Sequence, residues 1–198
     1  MSKNTEVQSC DEIGLIGGRE KRKIIIHDYD ERWPGIFDKH AAIIRKALGD
    51  AVLRIEHIGS TSVPGLAAKP IVDILLVVAD PGNEASYIPA LVDAGYELRV
   101  REPEFDEHRM VRTPERDVHI HIFPPQSNEI ERYLVFRNQL RSNPTDKIRY
   151  EHLKRMLSER EWEDTNDYAD AKSEIVEAII ANGFRAFDRE QRDTHEKN

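Results

Sequence analysis

His57-Ile58-Gly59-Ser60-Thr61-Ser62-Val63-Pro64-Gly65-Leu66-Ala67-Ala68-Lys69-Pro70-Ile71-Val72-Asp73-Ile74 is the stretch on which the reading of this chain turns. It predicts a strand that runs into a Gly-Ser turn, then a compact loop or short helix, then a second strand. Gly59 lets backbone amides come close to a ligand, and Ser60 and Thr61 add hydroxyl donors suited to phosphate oxygens. Asp73 stands among Ile71, Val72, Ile74, Leu75 and Leu76. A carboxylate in such a run must be paired, hydrogen-bonded or metal-bound. The plainer alternative is a tight turn followed by an aspartate that satisfies nearby backbone amides.

Working outward toward the N-terminus, Val52 to Ile58 alternates as a strand. Asp30 to Leu48 reads as a helix, with Asp30 as N-cap, Pro34 in the first turn and Gly49 as the stop. Lys23 to His27 is a short β-branched run, expected as a first strand. Residues 1–22 lack periodicity and hold Gly14, Gly17 and Gly18, so a mobile tail is expected. Toward the C-terminus, Ile71 to Val78 is a buried strand ended by Pro81 and Gly82. A helix over Glu84–Ala94 and strands near Tyr96–Arg101, His108–Thr113 and Val118–Phe123 follow. Pro124-Pro125 marks a change of regime, after which helical patterns cover about Glu129–Arg141, Asp146–Glu161 and Asp167–Ala181. The order predicts an α/β (α+β) fold, a mixed β-sheet with a C-terminal helical cap, and not a doubly wound sheet. One domain is expected over residues 23–183, with a sheet core to 125, a helical part from 126, and a polar tail over 184–198.

The composition limits the function. Of 198 residues, 39% are apolar and 33% charged, enough for a core under a well-solvated surface. A formal charge of -8 argues against a nucleic-acid partner, since binding a polyanion needs a positive field. It leaves room for a small phosphorylated ligand in a local basic pocket. Cys10 is the single cysteine, which excludes an internal disulfide and a cysteine-based zinc site. Met1 to Arg22 is polar, without the apolar run of a signal peptide, and Ile71 to Ala79 is too short to span a bilayer. No membrane association is expected, and a reducing cytoplasm is the expected location.

The string from His57 to Gly65, together with Ala68-Lys69-Pro70 and the Asp73-Ile74 strand, resembles the signature of the GrpB family, a group related to nucleotidyltransferases. The resemblance continues through Tyr29 with Trp33, Gly95-Tyr96, His119-Ile120-His121, Phe136-Arg137 with Leu140-Arg141, Tyr150 with Leu153-Lys154, and Tyr168 with Lys172. It covers about residues 23 to 183 and implies a nucleotidyltransferase-like fold. Relatives of this domain also occur fused to coenzyme A-pathway kinase domains, which implies such a kinase as a partner.

Active nucleotidyltransferases carry two carboxylates one residue apart after their Gly-Ser, on one face of a strand, where both hold magnesium. This chain offers Asp73, but Leu75 occupies the second position, and leucine cannot ligate a cation. The later strand contributes His119 and His121, which alternation places on one face, and the place of this strand in the fold that the resemblance implies puts them opposite Asp73 across the sheet. With His57 they make a nitrogen-rich set around one carboxylate. The expected divalent ion is magnesium, manganese or zinc, and the donor types favour a transition ion. The alternatives are hydrogen-bonded core histidines, or histidines that meet a substrate without metal. His108 and Arg109, on a neighbouring strand, are weaker candidates for the same cleft.

The three C-terminal helical patterns each hold one cation on an otherwise apolar stripe. Ile130, Tyr133, Leu134 and Arg137 follow i, i+3, i+4, i+7 spacing, as do Tyr150, Leu153, Lys154 and Leu157, and Tyr168, Ala171, Lys172 and Ile175. Long stems that snorkel past apolar neighbours, or pairs with buried acids, would account for any one of them. Three in succession predict a converging anion site. The expected substrate-binding set is therefore Gly59, Ser60, Thr61, Lys69, Arg109, Arg137, Lys154 and Lys172, with Asp73, His119 and His121 as catalytic candidates. The expected function is a nucleotidyltransferase-like protein that binds a nucleotide or other phosphorylated small molecule and transfers a nucleotidyl group through an altered metal site. A non-catalytic module that kept the pocket is the alternative, and a metal-dependent hydrolase ranks below both.

Overall fold

The structure, a computed structural model, describes residues 14–195, with side chains described to residue 189. A six-stranded mixed sheet forms its centre, with strands β1 (Gly14–Leu15), β2 (Arg54–Ile58), β3 (Val72–Val77), β4 (Glu97–Glu102), β5 (His108–Arg112) and β6 (Val118–Phe123) in the order β1-β4-β5-β6-β3-β2. β3 and β6 run parallel, and every other neighbouring pair is antiparallel. The expected mixed sheet with later helices is the one observed.

The two faces of the sheet explain the apolar continuity of β3. On one side α1 (Trp33–Leu48) and α2 (Ile88–Asp93) pack on Ile74, Leu76, Val111, Ile120 and Ile122, with Trp33, Ile44 and Leu91 in the same cluster. On the other lie α3 (Asn128–Ser142), α4 (Pro144–Ser158), α5 (Thr165–Asp170) and α6 (Ser173–His195). There Ile130 meets Ile58, Leu75, Val77 and Phe123. A strand covered on both faces has no polar side to alternate with, so it reads as an unbroken apolar run. Asp73 is the exception that alternation directs to the second face, beside Leu75.

The helical part is started by three side-chain caps. Ser127, Asn143 and Asp164 accept backbone N–H groups of Glu129, Asp146 and Asn166, at the heads of α3, α4 and α5. Each supplies an acceptor that the first turn lacks.

Several local expectations are corrected. Lys23–His27 is not a strand: within it only His27 forms a bridge, an antiparallel pair with Ala68. Residues 14–22 are not a free tail, since Gly14 and Leu15 pair with Arg101 and Val100 of β4. The buried Arg99 donates to the carbonyl oxygens of Ile16 and Gly18, and Glu20 accepts from Arg112 at 2.8 and 3.0 Å. A polar, glycine-rich segment without periodicity gives no hint of these long-range partners. Asp30 does not cap α1, because its carboxylate takes the backbone N–H and guanidinium of Arg32 instead. The pattern over Asp167–Ala181 is two helices, broken at Ala171-Lys172, and α6 continues to His195 where a polar tail was expected. Cys10 and the rest of residues 1–13 lie outside the described residues.

Candidate functional site

The Gly-Ser loop leaves β2 at Gly59, whose φ of 69° and ψ of -172° suit glycine alone. Space demands glycine as well: a Cβ there would stand 2.4 Å from Asp73 Oδ2. Ser60–Ser62 then make one tight helical turn, closed when Ser62 Oγ donates to the Gly59 carbonyl at 2.6 Å. α4 clamps the rest of the loop. Lys154 Nζ donates to the Ala67 carbonyl, Lys147 Nζ to the Pro64 carbonyl at 3.2 Å, and Ala67 N–H to Glu151 at 3.2 Å. The loop is thereby held rigidly between the sheet and the helical part.

Asp73 and His119 face each other in register across β3 and β6, and His121 pairs with Leu75 one step further along the same face. His119 Nδ1 and His121 Nε2 each lie 3.8 Å from Asp73 Oδ1, beyond hydrogen-bond range. The ligand atoms of these three residues all lie within 4.8 Å of one another. Burial pushes the His119 imidazole down to about 4, against the pull of Asp73, so it is neutral at physiological pH. Burial alone would raise the Asp73 carboxyl, but His121, His119 and Lys69 beside it hold it below its usual value. A second rank stands behind His121. Its Nδ1 lies 3.3 Å from His108 Nε2, and His108 Nδ1 lies 2.7 Å from Glu102 Oε2. Two imidazoles and one carboxylate are donors that suit zinc, manganese or iron(II) better than magnesium.

Next to Asp73 opens a cavity of about 380 Å³, bounded by the Gly-Ser loop on one side and the helical part on the other. Lys69, Lys154 and Lys172 all line it. Lys154 is buried and donates to Ser60 Oγ at 3.1 Å, and its Nζ stands 4.6 Å from the Tyr150 ring centre. Lys69 and Lys172 stand 5.0 and 4.5 Å from the ring centre of Tyr168. None of the three lysines has a carboxylate within ion-pair distance among the described residues. Burial lowers Lys154 to about 7 and Lys69 and Lys172 to about 8, and the positive charge of Lys172 adds to the effect at the other two. The Tyr168 hydroxyl, fully buried, finds no hydrogen-bond partner among the described residues. Phe136, Val176 and Ile180 supply an apolar wall.

The profile of the family described as GrpB protein matches residues 23–182, which takes in the loop, the three strands behind it and all the lysines of the cavity. The chain belongs to the GrpB family. It is 52% identical over 167 residues to a UPF0157 protein of Streptomyces coelicolor, covering 84% of this chain and 88% of that one. It is 50% identical over 157 residues to a UPF0157 protein of Halalkalibacterium halodurans, covering 79% and 80%. The crystal structure of the conserved protein GrpB from Enterococcus faecalis superposes with a TM-score of 0.74 at 32% identity, covering 82% of this chain and 99% of that chain.

In this GrpB protein, then, the cavity gathers Gly59, Ser60, Lys69, Asp73, His119, Lys154 and Lys172, with His121 beside Asp73. Four expected members are elsewhere. His57 pairs with Ile74, so alternation turns it to the α1 face, where it stacks on Phe37 at 5.0 Å. Thr61 follows it there, its hydroxyl 3.1 Å from His57 Nε2. Neither the metal role expected of His57 nor the phosphate role expected of Thr61 is supported by these positions. Arg109 pairs with Ile122, also on the α1 side, and binds Glu84 at 2.5 Å and Glu107 at 3.2 Å. Arg137 reaches the sheet beyond the cavity and bonds Glu56 at 3.0 Å and the His57 carbonyl at 2.9 Å. A shared helical spacing places a residue on a stripe, and the partner at each level of the stripe decides what it meets.

The sequence reading missed the tyrosines as wall residues and missed Glu102 altogether. Tyr133, Tyr150 and Tyr168, each four residues before a cation, all line the cavity. Arg132 also borders it, bound to Glu129 at 3.0 Å and to Glu177. The tyrosine-to-cation spacing was the available signal for the first group; the charged rim carried none.

Proposed function

We propose that this protein binds a phosphorylated small molecule of the nucleotide type in the cavity between the Gly-Ser loop and the helical part. One observation carries the reading: Lys69, Lys154 and Lys172 share one cavity and, among the described residues, contact a hydroxyl, a carbonyl and tyrosine rings but form no ion pair, with Asp73 acting on Lys69 and Lys172 only from a distance. Burying charge without an ion-pair partner is costly, and the depressed lysine values are the sign of that cost, which the distant pull of Asp73 on Lys69 and Lys172 does not offset. An anionic group lodged among the three ammonium groups and Ser60 Oγ relieves it. Phosphate fits best, since it offers several acceptors to donors that arrive from separate elements. The rest of the ligand then runs along Phe136, Val176 and Ile180, within reach of the Arg132 rim.

Leu75 favours a binding module or an altered transferase over two-magnesium nucleotidyl transfer. It is fully buried against Ile58, Phe123 and Ile130, at the place where a second carboxylate would be needed. Asp73 and His119 form the end of the cavity nearest the sheet, and with His121 beside them they are the groups available to act on a bound phosphoryl compound.

A thermal-shift panel of inorganic phosphate, pyrophosphate, nucleotides and coenzyme A precursors tests the reading. Phosphorylated compounds should raise the melting temperature, and their dephosphorylated counterparts should not. Equal responses from both sets would refute it.

A further inference from the structure

The arrangement of Glu102, His108, His121, His119 and Asp73 calls for an explanation that phosphate binding does not provide. The Glu102 carboxylate can only accept at His108 Nδ1, 2.7 Å away, so that nitrogen carries the proton. In a neutral ring His108 Nε2 is then an acceptor, and the proton between the two imidazoles, 3.3 Å apart, sits on His121 Nδ1. His121 Nε2 then faces Asp73 Oδ1, 3.8 Å away. His119 Nδ1 stands at the same distance from the same oxygen. Two ring nitrogens and a carboxylate oxygen thus converge within 4.8 Å of one another, with neither ring in hydrogen-bond range of the carboxylate. A separation of 3.8 Å is too long for a hydrogen bond but close to the spacing of donors that share a cation. Metal bonds of about 2.0–2.2 Å place neighbouring donors roughly 3–3.5 Å apart, so each imidazole would close on Asp73 by less than an ångström.

We propose that Asp73, His119 and His121 form a mononuclear transition-metal site, and that Glu102 and His108 are positioning residues that fix His121 as a ligand. The outer pair does what a carboxylate does behind a metal-bound histidine elsewhere: it selects the tautomer and holds the ring. His108 is itself locked, buried against Phe123 with ring centres 4.6 Å apart and planes 18° apart. The donor set of two imidazoles and one carboxylate selects zinc, manganese or iron(II) over magnesium. Gly59, which has no Cβ, lets the Asp73 carboxylate lie close against the loop, where a Cβ would stand 2.4 Å from Oδ2. When bound, such an ion supplies a Lewis acid next to the lysine cavity. The site stands on its own geometry, so it holds whether or not the cavity takes a phosphorylated ligand.

The test uses the full chain, stripped with a chelator and titrated with cobalt(II), followed by visible ligand-field absorption and by competition with zinc. One equivalent should bind, and His119→Asn or His121→Asn should abolish the band. His108→Phe and Glu102→Gln should keep the stoichiometry and weaken affinity by about 10–100-fold. His57→Gln, on the opposite face, should bind like the parent. Circular dichroism of each variant confirms that it is folded, and the parent titration decides the matter even if a variant is not. Absence of a stoichiometric cobalt band in the parent, or an unchanged band in both histidine variants, overturns the site. Parent-like affinity in His108→Phe overturns the positioning role. A parallel titration with pyrophosphate in excess chelator keeps the two readings apart, because anion binding there needs no metal.

Discussion

Gly59 and Asp73 are built against each other: the position of a Cβ on residue 59 lies 2.4 Å from Oδ2 of residue 73. This contact ties the loop that approaches a ligand to the carboxylate at the sheet end of the cavity.

Gly59→Ala is therefore expected to act on the site and the fold together. The backbone conformation there is nearly closed to alanine, at a cost of about 1–3 kcal/mol, and the methyl group displaces the Asp73 carboxylate. Urea unfolding should show the loss of stability, and cobalt titration a weakened metal site. A variant with parent-like stability and metal affinity would show that the two residues are not mechanically joined.

Lys154→Met and Arg137→Met should separate the cation inside the cavity from the one outside it. The first removes the ammonium that bonds Ser60 and the Ala67 carbonyl, and phosphate-induced stabilisation should fall by about 1–3 kcal/mol, the scale of a lost charge-assisted hydrogen bond. The second breaks the Glu56 pair and should destabilise the protein while leaving the phosphate response unchanged. Thermal shifts with and without pyrophosphate check both. An equal loss of response in both variants would mean that Arg137 reaches the ligand after all.

Leu75→Asp should not restore a two-magnesium site. The side chain is fully buried among Ile58, Val77, Phe123 and Ile130, and a carboxylate there would lack a partner. Loss of folding is expected, read as a missing cooperative transition. A stable variant with new magnesium-dependent stabilisation would contradict the packing account.

Tyr168→Phe removes a hydroxyl that has no partner among the described residues. Relief of an unsatisfied buried group should leave the ligand-free protein as stable as the parent or up to about 1–3 kcal/mol more so. The thermal shift caused by a phosphorylated ligand should shrink if that hydroxyl completes the site. Marked destabilisation without ligand would show that the hydroxyl is satisfied within the fold.

The sheet was legible because β3 is covered on both faces and β6 alternates, so spacing placed His119 and His121 on one face, while their position opposite Asp73 followed only from the fold that the family resemblance implied. The same alternation, applied to β2, would have turned His57 away from Asp73, since Ile58 and not His57 pairs with it. Lys154 and Lys172 were legible as cations on apolar stripes. Arg137 followed the same pattern to a different end because Glu56, contributed by β2, lies opposite it. Glu102 was hidden, as its role depends on a neighbour across a strand turn. The pairing of residues 14–20 with β4 and its neighbours was hidden too, because its determinants, Arg99 and Arg112, lie some eighty to ninety positions away in the chain.

The most direct measurement of the central claim is proton uptake on anion binding. With Lys154 lowered to about 7 and Lys69 and Lys172 to about 8, the lysines are partly neutral in the empty cavity near pH 7.5. In the unfolded chain they would stay protonated up to their ordinary value, so their burial destabilises the fold most fully below pH 7, and that cost fades as pH rises from 7 toward 10. An anion that lodges among them raises all three values and draws protons from solution. Its affinity should be greatest below pH 7 and fall as pH rises through 7 to 8. Calorimetric titration of pyrophosphate into the chelator-treated protein at pH 7.5, in buffers of different ionisation enthalpy, reads the uptake directly. The account predicts net uptake of protons by the protein in the parent and less in Lys154→Met; saturable binding without proton uptake, or no binding at all, would contradict it.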